Sequence, residues 1–106
     1  MGWTHACKLG DFPEDEGVRV DLTSSGCPVL ALFKVDDEIL AIDDVCTHDE
    51  SSLAEGYVDG DVVECSWHFA KFSLRTGDVL SPPATEPVRT WNTRVVGQDV
   101  LVERPD

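Results

Sequence analysis

Val29-Leu-Ala-Leu-Phe-Lys-Val35, Asp36-Asp-Glu38 and Ile39-Leu-Ala-Ile42 form one continuous stretch, and its pattern is that of paired β-strands. Two short runs rich in β-branched and apolar residues flank three acids, the pattern of a β-hairpin with a solvated tip at Asp36-Asp37-Glu38. The same alternation recurs on either side. Val18-Arg-Val-Asp-Leu22 precedes the hairpin, and Asp61-Val-Val-Glu-Cys65, Lys71-Phe-Ser-Leu74, Arg89 onward to Val96, and Val100-Leu-Val-Glu103 follow it. Gly77-Asp78 and Gly97-Gln98 supply turns between them. No segment of ten or more residues carries a helical stripe, and only Glu50 to Gly56 could make a helical turn. Evenly spaced short strands predict an all-β chain, a small antiparallel sandwich or barrel.

Cys46-Thr-His48 follows the strand ending near Ile42, and Cys65-Ser-Trp-His68 closes the strand that ends at Glu64. Strand-end loops are where rigid elements position ligands. Both boxes run Cys first and His second, so one loop folded over the other sets two sulfurs together and two imidazoles together. Three chemistries compete for these four side chains. Structural zinc favours C-x2-4-C paired with H-x3-5-H, and two mixed boxes fit that poorly. A nucleophilic cysteine needs one Cys/His pair and leaves the second box unexplained. A two-iron cluster with chemically different ends uses all four, and replacing two cysteines by histidine on one iron raises the reduction potential above that of an all-cysteine ferredoxin.

Composition bounds the rest. The 106 residues make one domain, with an apolar content of 42% that is ordinary for a globular protein. No apolar run approaches the length of a membrane span, and no basic and apolar leader opens the chain, so a cytoplasmic protein is expected. The net charge of −13 is uneven: residues 1–64 carry sixteen Asp and Glu against Lys8, Arg19 and Lys34, whereas residues 65–106 carry five of each sign. Such a chain is repelled by nucleic acid and by anionic membrane surfaces, and a basic protein partner is its complement. Cys7 and Cys27 show no disulfide spacing and are expected as buried thiols. Trp3, His5 and Trp91 are read as strand or packing residues. Lys71 and Arg75 are read as local charge neutralisers or members of a solvated strand face.

With these residues in view, the sequence resembles the Rieske [2Fe-2S] proteins, in particular the small Rieske ferredoxins that serve bacterial aromatic-ring dioxygenases. The resemblance rests on Cys-Thr-His and Cys-Ser-Trp-His, on Phe72 and Gly77 within Phe-Ser-Leu-Arg-Thr-Gly, and on Ser-Pro-Pro-Ala-Thr-Glu-Pro at 81–87. It covers nearly the whole chain. It implies a single Rieske domain over residues 1–106, with cluster-binding loops at about 44–52 and 65–73 at one tip and a proline loop at about 81–87. It further implies one Rieske-type cluster, with Cys46 and Cys65 on the inner iron and His48 and His68 on the outer iron. The implied role is that of a soluble, monomeric one-electron carrier and not an enzyme. It would take electrons from a flavin-containing or iron–sulfur reductase and pass them to a terminal oxygenase. A related customer such as a nitrite reductase, or a zinc-stabilised interaction module, are the alternatives.

Departures from the wider family sharpen this expectation. Rieske subunits of cytochrome complexes carry an additional disulfide-bonded cysteine in each loop, where Ser51 and Trp67 stand here. They also place a serine and a tyrosine after the second box, where this chain has Ala70 and Phe72. Fewer hydrogen bonds to sulfur leave the reduced cluster less stabilised, which implies a potential at the low end of the range, about −150 mV. Phe69 stands where the family often has glycine. The surface around the outer ligands is expected to include Asp49, Glu50, Trp67, Phe69, Pro82 and Pro83.

Overall fold

The computed structural model describes residues 2–13, 16–45, 51–65, 70–81 and 86–104. Its elements are antiparallel strands and short 3₁₀ turns. In chain order the strands are β1 (Trp3–Lys8), β2 (Val18–Asp21), β3 (Val29–Val35), β4 (Glu38–Asp43), β5 (Tyr57–Asp59), β6 (Val62–Glu64), β7 (Lys71–Ser73), β8 (Val79–Ser81), β9 (Thr90–Trp91), β10 (Thr93–Val96) and β11 (Asp99–Glu103). They form three sheets, ordered β1-β11-β10, β2-β3-β4-β9 and β5-β6-β7-β8.

The hairpin of residues 29–43 is β3-β4, and it lies in the middle layer. Alternation along a strand sends successive side chains to opposite faces. Accordingly Leu30 and Leu32 join one core with Cys7, Val20, Ile39, Ala41, Val100 and Val102. Ala31, Phe33, Val35 and Ile42 join the other with Leu53, Val63, Cys65, Ala70, Phe72 and Leu74. Burial on both faces explains why Val29–Phe33 reads as an unbroken apolar run and not as an alternating one. Each fully buried Leu, Ile or Phe contributes about 1.5–3 kcal/mol, so the middle sheet is the anchor for both outer ones.

Several details differ from the sequence reading. Val35 pairs directly with Glu38, so the turn is Asp36-Asp37 alone, with Asp36 at φ 54°. Asp tolerates this left-handed conformation better than most residues, which lets a two-residue turn close without glycine. Glu38 is therefore a strand residue, and its carboxylate pairs with the Arg75 guanidinium, which also donates to Asp61 at 3.0 Å. Arg75 thus ties the middle sheet to the β5–β8 sheet, more than a local neutraliser. Strands β5 and β8, each three residues long, and 3₁₀ turns at Leu9–Asp11 and Thr23–Ser25 went unrecognised, while Leu53–Glu55 supplies the helical turn expected between Glu50 and Gly56. Cys7 and Cys27 are buried, unbridged thiols as expected.

Candidate metal centre

The first ligand box hangs from the end of β4, and two consecutive carboxylates fasten its base. Asp44 is 2% exposed, the one buried charged side chain among the described residues. Its Oδ1 accepts from the Ser52 hydroxyl at 2.7 Å and from the Ala54 N–H at 3.0 Å. Its Oδ2 lies 3.3 Å from Arg19 Nε. The backbone adds to the clamp: Asp44 donates its N–H to the Val29 carbonyl at 3.0 Å and accepts the Leu53 N–H at 2.7 Å. A β-bridge between Val45 and Ser52 closes the same stem. Buried carboxylates persist only when their acceptor sites are filled, and here three donors from two segments fill them.

Asp43 points the other way. Its Oδ1 accepts from the Trp91 indole N–H and its Oδ2 from Arg89 Nε, both at 2.9 Å. Its own N–H donates to the Arg89 carbonyl at 3.0 Å, and the guanidinium stacks 5.2 Å from the Trp91 ring centroid. Trp91 packs against the core of Leu30, Ala41 and Val100 as expected, and it also holds Asp43. Residues 86–91 follow the proline loop, so adjacent side chains of one strand end fasten the roots of two loops. Glycine has a specific place in the second root. Gly77, at φ 78°, accepts the Val88 N–H at 2.9 Å through its carbonyl.

The second ligand box begins directly after β6. Cys65 is fully buried and donates its N–H to the Ala70 carbonyl at 2.7 Å, which draws the facing ends of β6 and β7 together. Ala70 and Phe72 are also fully buried. Leu53 and Ala54 after the first box, Cys65 and Ala70 around the second, and Val88 after the proline loop all belong to one apolar cluster. The roots of all three loops therefore meet, though the ligand loops leave from different sheets, β4 in the middle layer and β6 in the outer one.

Of the four expected ligands, Cys65 is placed by these contacts. Cys46, His48 and His68 lie outside the described residues, as do Asp49, Glu50, Trp67, Phe69, Pro82 and Pro83. Among the described residues no three metal-ligating side chains converge. The donor chemistry nevertheless fits an iron–sulfur cluster at this end. Cys65 is fully buried in one cluster with Leu53, Val63, Ala70 and Phe72, so its sulfur is shielded from water by apolar side chains, the surroundings a thiolate ligand to an inner iron would need.

Sequence reasoning missed Asp43 and Asp44. Within the acid excess of residues 1–64 nothing in their residue type marks them out. The signal that could have found them is position: an Asp pair placed just before Val45-Cys46 at a strand end can reach both flanking loops.

Comparison with known proteins agrees with this geometry. The Rieske [2Fe-2S] domain model matches residues 2–92, and the chain belongs to that family. It is 48% identical over 104 residues to the biphenyl dioxygenase ferredoxin subunit of Pseudomonas sp. strain KKS102, covering 97% of this chain and 93% of that one. The fold superimposes on the ferredoxin of Sphingomonas yanoikuyae B1 with a TM-score of 0.90 and 29% identity, covering 98% of this chain and 100% of that one. A solved complex of reduced oxygenase and oxidised ferredoxin in carbazole 1,9a-dioxygenase matches with a TM-score of 0.85 and 36% identity, covering 94% and 91%. The protein is a Rieske-type ferredoxin: it carries one 2Fe-2S cluster and is an electron-transfer component, not a catalytic enzyme. No helix among the described residues is long and apolar enough to cross a membrane.

Proposed function

We propose that this chain carries single electrons from a flavin-containing or iron–sulfur reductase to a terminal oxygenase that attacks an aromatic substrate. The observation that carries the proposal is the 48% identity, over almost the full length of both chains, to the ferredoxin subunit of a biphenyl dioxygenase. The solved complex of a similar ferredoxin with its oxygenase supports the direction of delivery. The proposed ligands are Cys46 and Cys65 for the inner iron and His48 and His68 for the outer one, within a single Rieske domain spanning residues 1–106. The cluster, when bound, supplies a one-electron couple whose potential depends on its ligands and on hydrogen bonds to its sulfurs.

What the protein residues do is hold and shield. The β6–β7 closure at Cys65 and the clamp at Asp44 fix the roots of the two ligand loops, and Leu53, Val63 and Phe72 exclude water from the inner side. Electron exchange then belongs to the outer side, where the proposed histidine ligands meet the docked partner. Electrons move between partners without bond-making in this chain. A monomeric carrier in the cytoplasm completes the reading, and sedimentation checks the first of these terms.

Reconstitution tests it. Purified protein is combined with the reductase and terminal oxygenase of the biphenyl system or another aromatic-ring dioxygenase. The expected outcome is substrate hydroxylation that depends on this chain. Rapid reduction by the reductases, with no transfer to any aromatic-ring oxygenase, would contradict the proposed customer.

A further inference from the structure

We infer that Asp44 is a positioning residue for the cluster, acting through the loop that carries Cys46 and His48. This inference rests on the ligand assignment proposed above. Three donors from two separate segments end on its carboxylate: the Ser52 hydroxyl and Ala54 N–H beyond the loop share Oδ1, and Arg19 of β2 faces Oδ2. Its own backbone meanwhile bonds Val29 on one side and Leu53 on the other. Both ends of the interval 45–52 are thus referenced to one buried group, which itself is fixed to the middle sheet.

The chemistry selects a carboxylate. A serine or alanine at this position could not satisfy two donors and a guanidinium at once, and an asparagine would turn an N–H₂ donor toward Arg19. Burial at 2% exposure makes the arrangement all-or-none, because a donor left without its acceptor inside the protein carries the full desolvation penalty. Outer groups that orient metal ligands typically change metal affinity or activity about 10–100-fold when removed. Asp44 fills that role by fixing the loop's two ends, without touching the iron.

The test is Asp44→Ala in the cluster-loaded protein, read by the electron paramagnetic resonance spectrum of the reduced form. Its second readout is the rate at which visible absorbance is lost to an Fe(II) chelator, bathophenanthroline disulfonate. The inference expects altered g-values and about tenfold faster loss of the cluster. Ser52→Ala should give a smaller change of the same kind. The double variant Asp44→Ala/Ser52→Ala should be no worse than Asp44→Ala alone, because the two residues act through one contact. Val100→Ala, in the other core, should lower the unfolding temperature while leaving the spectrum of the cluster unaltered. A native spectrum and loss rate in Asp44→Ala would overturn the inference, as would strict additivity with Ser52→Ala. Where Asp44→Ala does not fold, Asp44→Asn retains one acceptor oxygen and is held to the same two readouts. Failure of the ligand assignment looks different: His48→Ala would then keep the native spectrum.

Discussion

Gly77 lies directly beneath Val88, so close that a Cβ on the glycine would stand 2.0 Å from the Val88 carbonyl oxygen. The obstacle is backbone, which has no rotamer to escape into. Gly77→Ala also forces alanine to adopt φ 78°, and the two effects together place the loss at the upper end of about 1–3 kcal/mol. Gly97→Ala is the matched control, with φ 62° but open space around the added methyl, and should cost about 1 kcal/mol. Denaturant unfolding of both variants separates the terms. Equal losses would show that the packing of the proline-loop root contributes nothing.

Phe72 and Ala70 are fully buried beside Cys65 in the same apolar cluster. Hydroxyl donors to the cluster's sulfurs stabilise its reduced, more negative form and raise the potential. The native protein should therefore titrate at the low end of the Rieske range, about −150 mV. Ala70→Ser combined with Phe72→Tyr should move the midpoint upward. A clearly positive midpoint in the native protein would contradict this account of the second box.

Burial raises the Cys7 thiol to about 11, with the nearby Asp11 carboxylate adding to the effect. In the unfolded chain the same thiol ionises near its ordinary value of 9.0. Between those values the unfolded state has lost a proton that the folded state keeps, so the stability contribution present at neutral pH declines as pH rises from about 9 to 11. Measuring unfolding free energy across this window should show a decline that is shallower in Cys7→Ala. Native Cys7 should also resist alkylation at pH 8 until the protein is denatured.

The acid excess in residues 1–64 predicts a salt-sensitive encounter with basic partners. Turnover in a reconstituted system at limiting ferredoxin should fall as ionic strength rises from about 0.05 to 0.5 M, as screening shortens the reach of the surface charges. A flat profile would assign the acidity to solubility alone.

The legibility of this protein from sequence follows from which residues carry a local signal. The β3–β4 hairpin was readable because Val29–Val35 and Ile39–Ile42 contrast sharply with the acids between them. Its turn was read one residue too long, because Glu38 looks like a tip residue and only its pairing with Val35 and contact with Arg75 show otherwise. Strands β5 and β8 are three residues each and mix Tyr57, Asp59 and Leu80 in outward positions, too short for periodicity to register. At the metal centre the Cys/His boxes declare themselves by residue type. The carboxylates that fasten the neighbouring loops do not, since burial of Asp44 depends on partners eight and ten residues onward and on Arg19 from another strand.

In the proposed assignment the cluster is held asymmetrically, by Cys46 and Cys65 at one end and His48 and His68 at the other. The chain has three histidines, and His5 sits far along the sequence in β1, where it contacts Asp99 at 3.1 Å. Pulsed electron paramagnetic resonance of the reduced protein, labelled with ¹⁵N only at histidine, counts the imidazoles on iron directly. The account predicts two coupled histidine nitrogens, both retained in His5→Ala and reduced to one in His48→Ala or His68→Ala. Fewer than two coupled nitrogens in the native protein, or loss of one in His5→Ala, would contradict it.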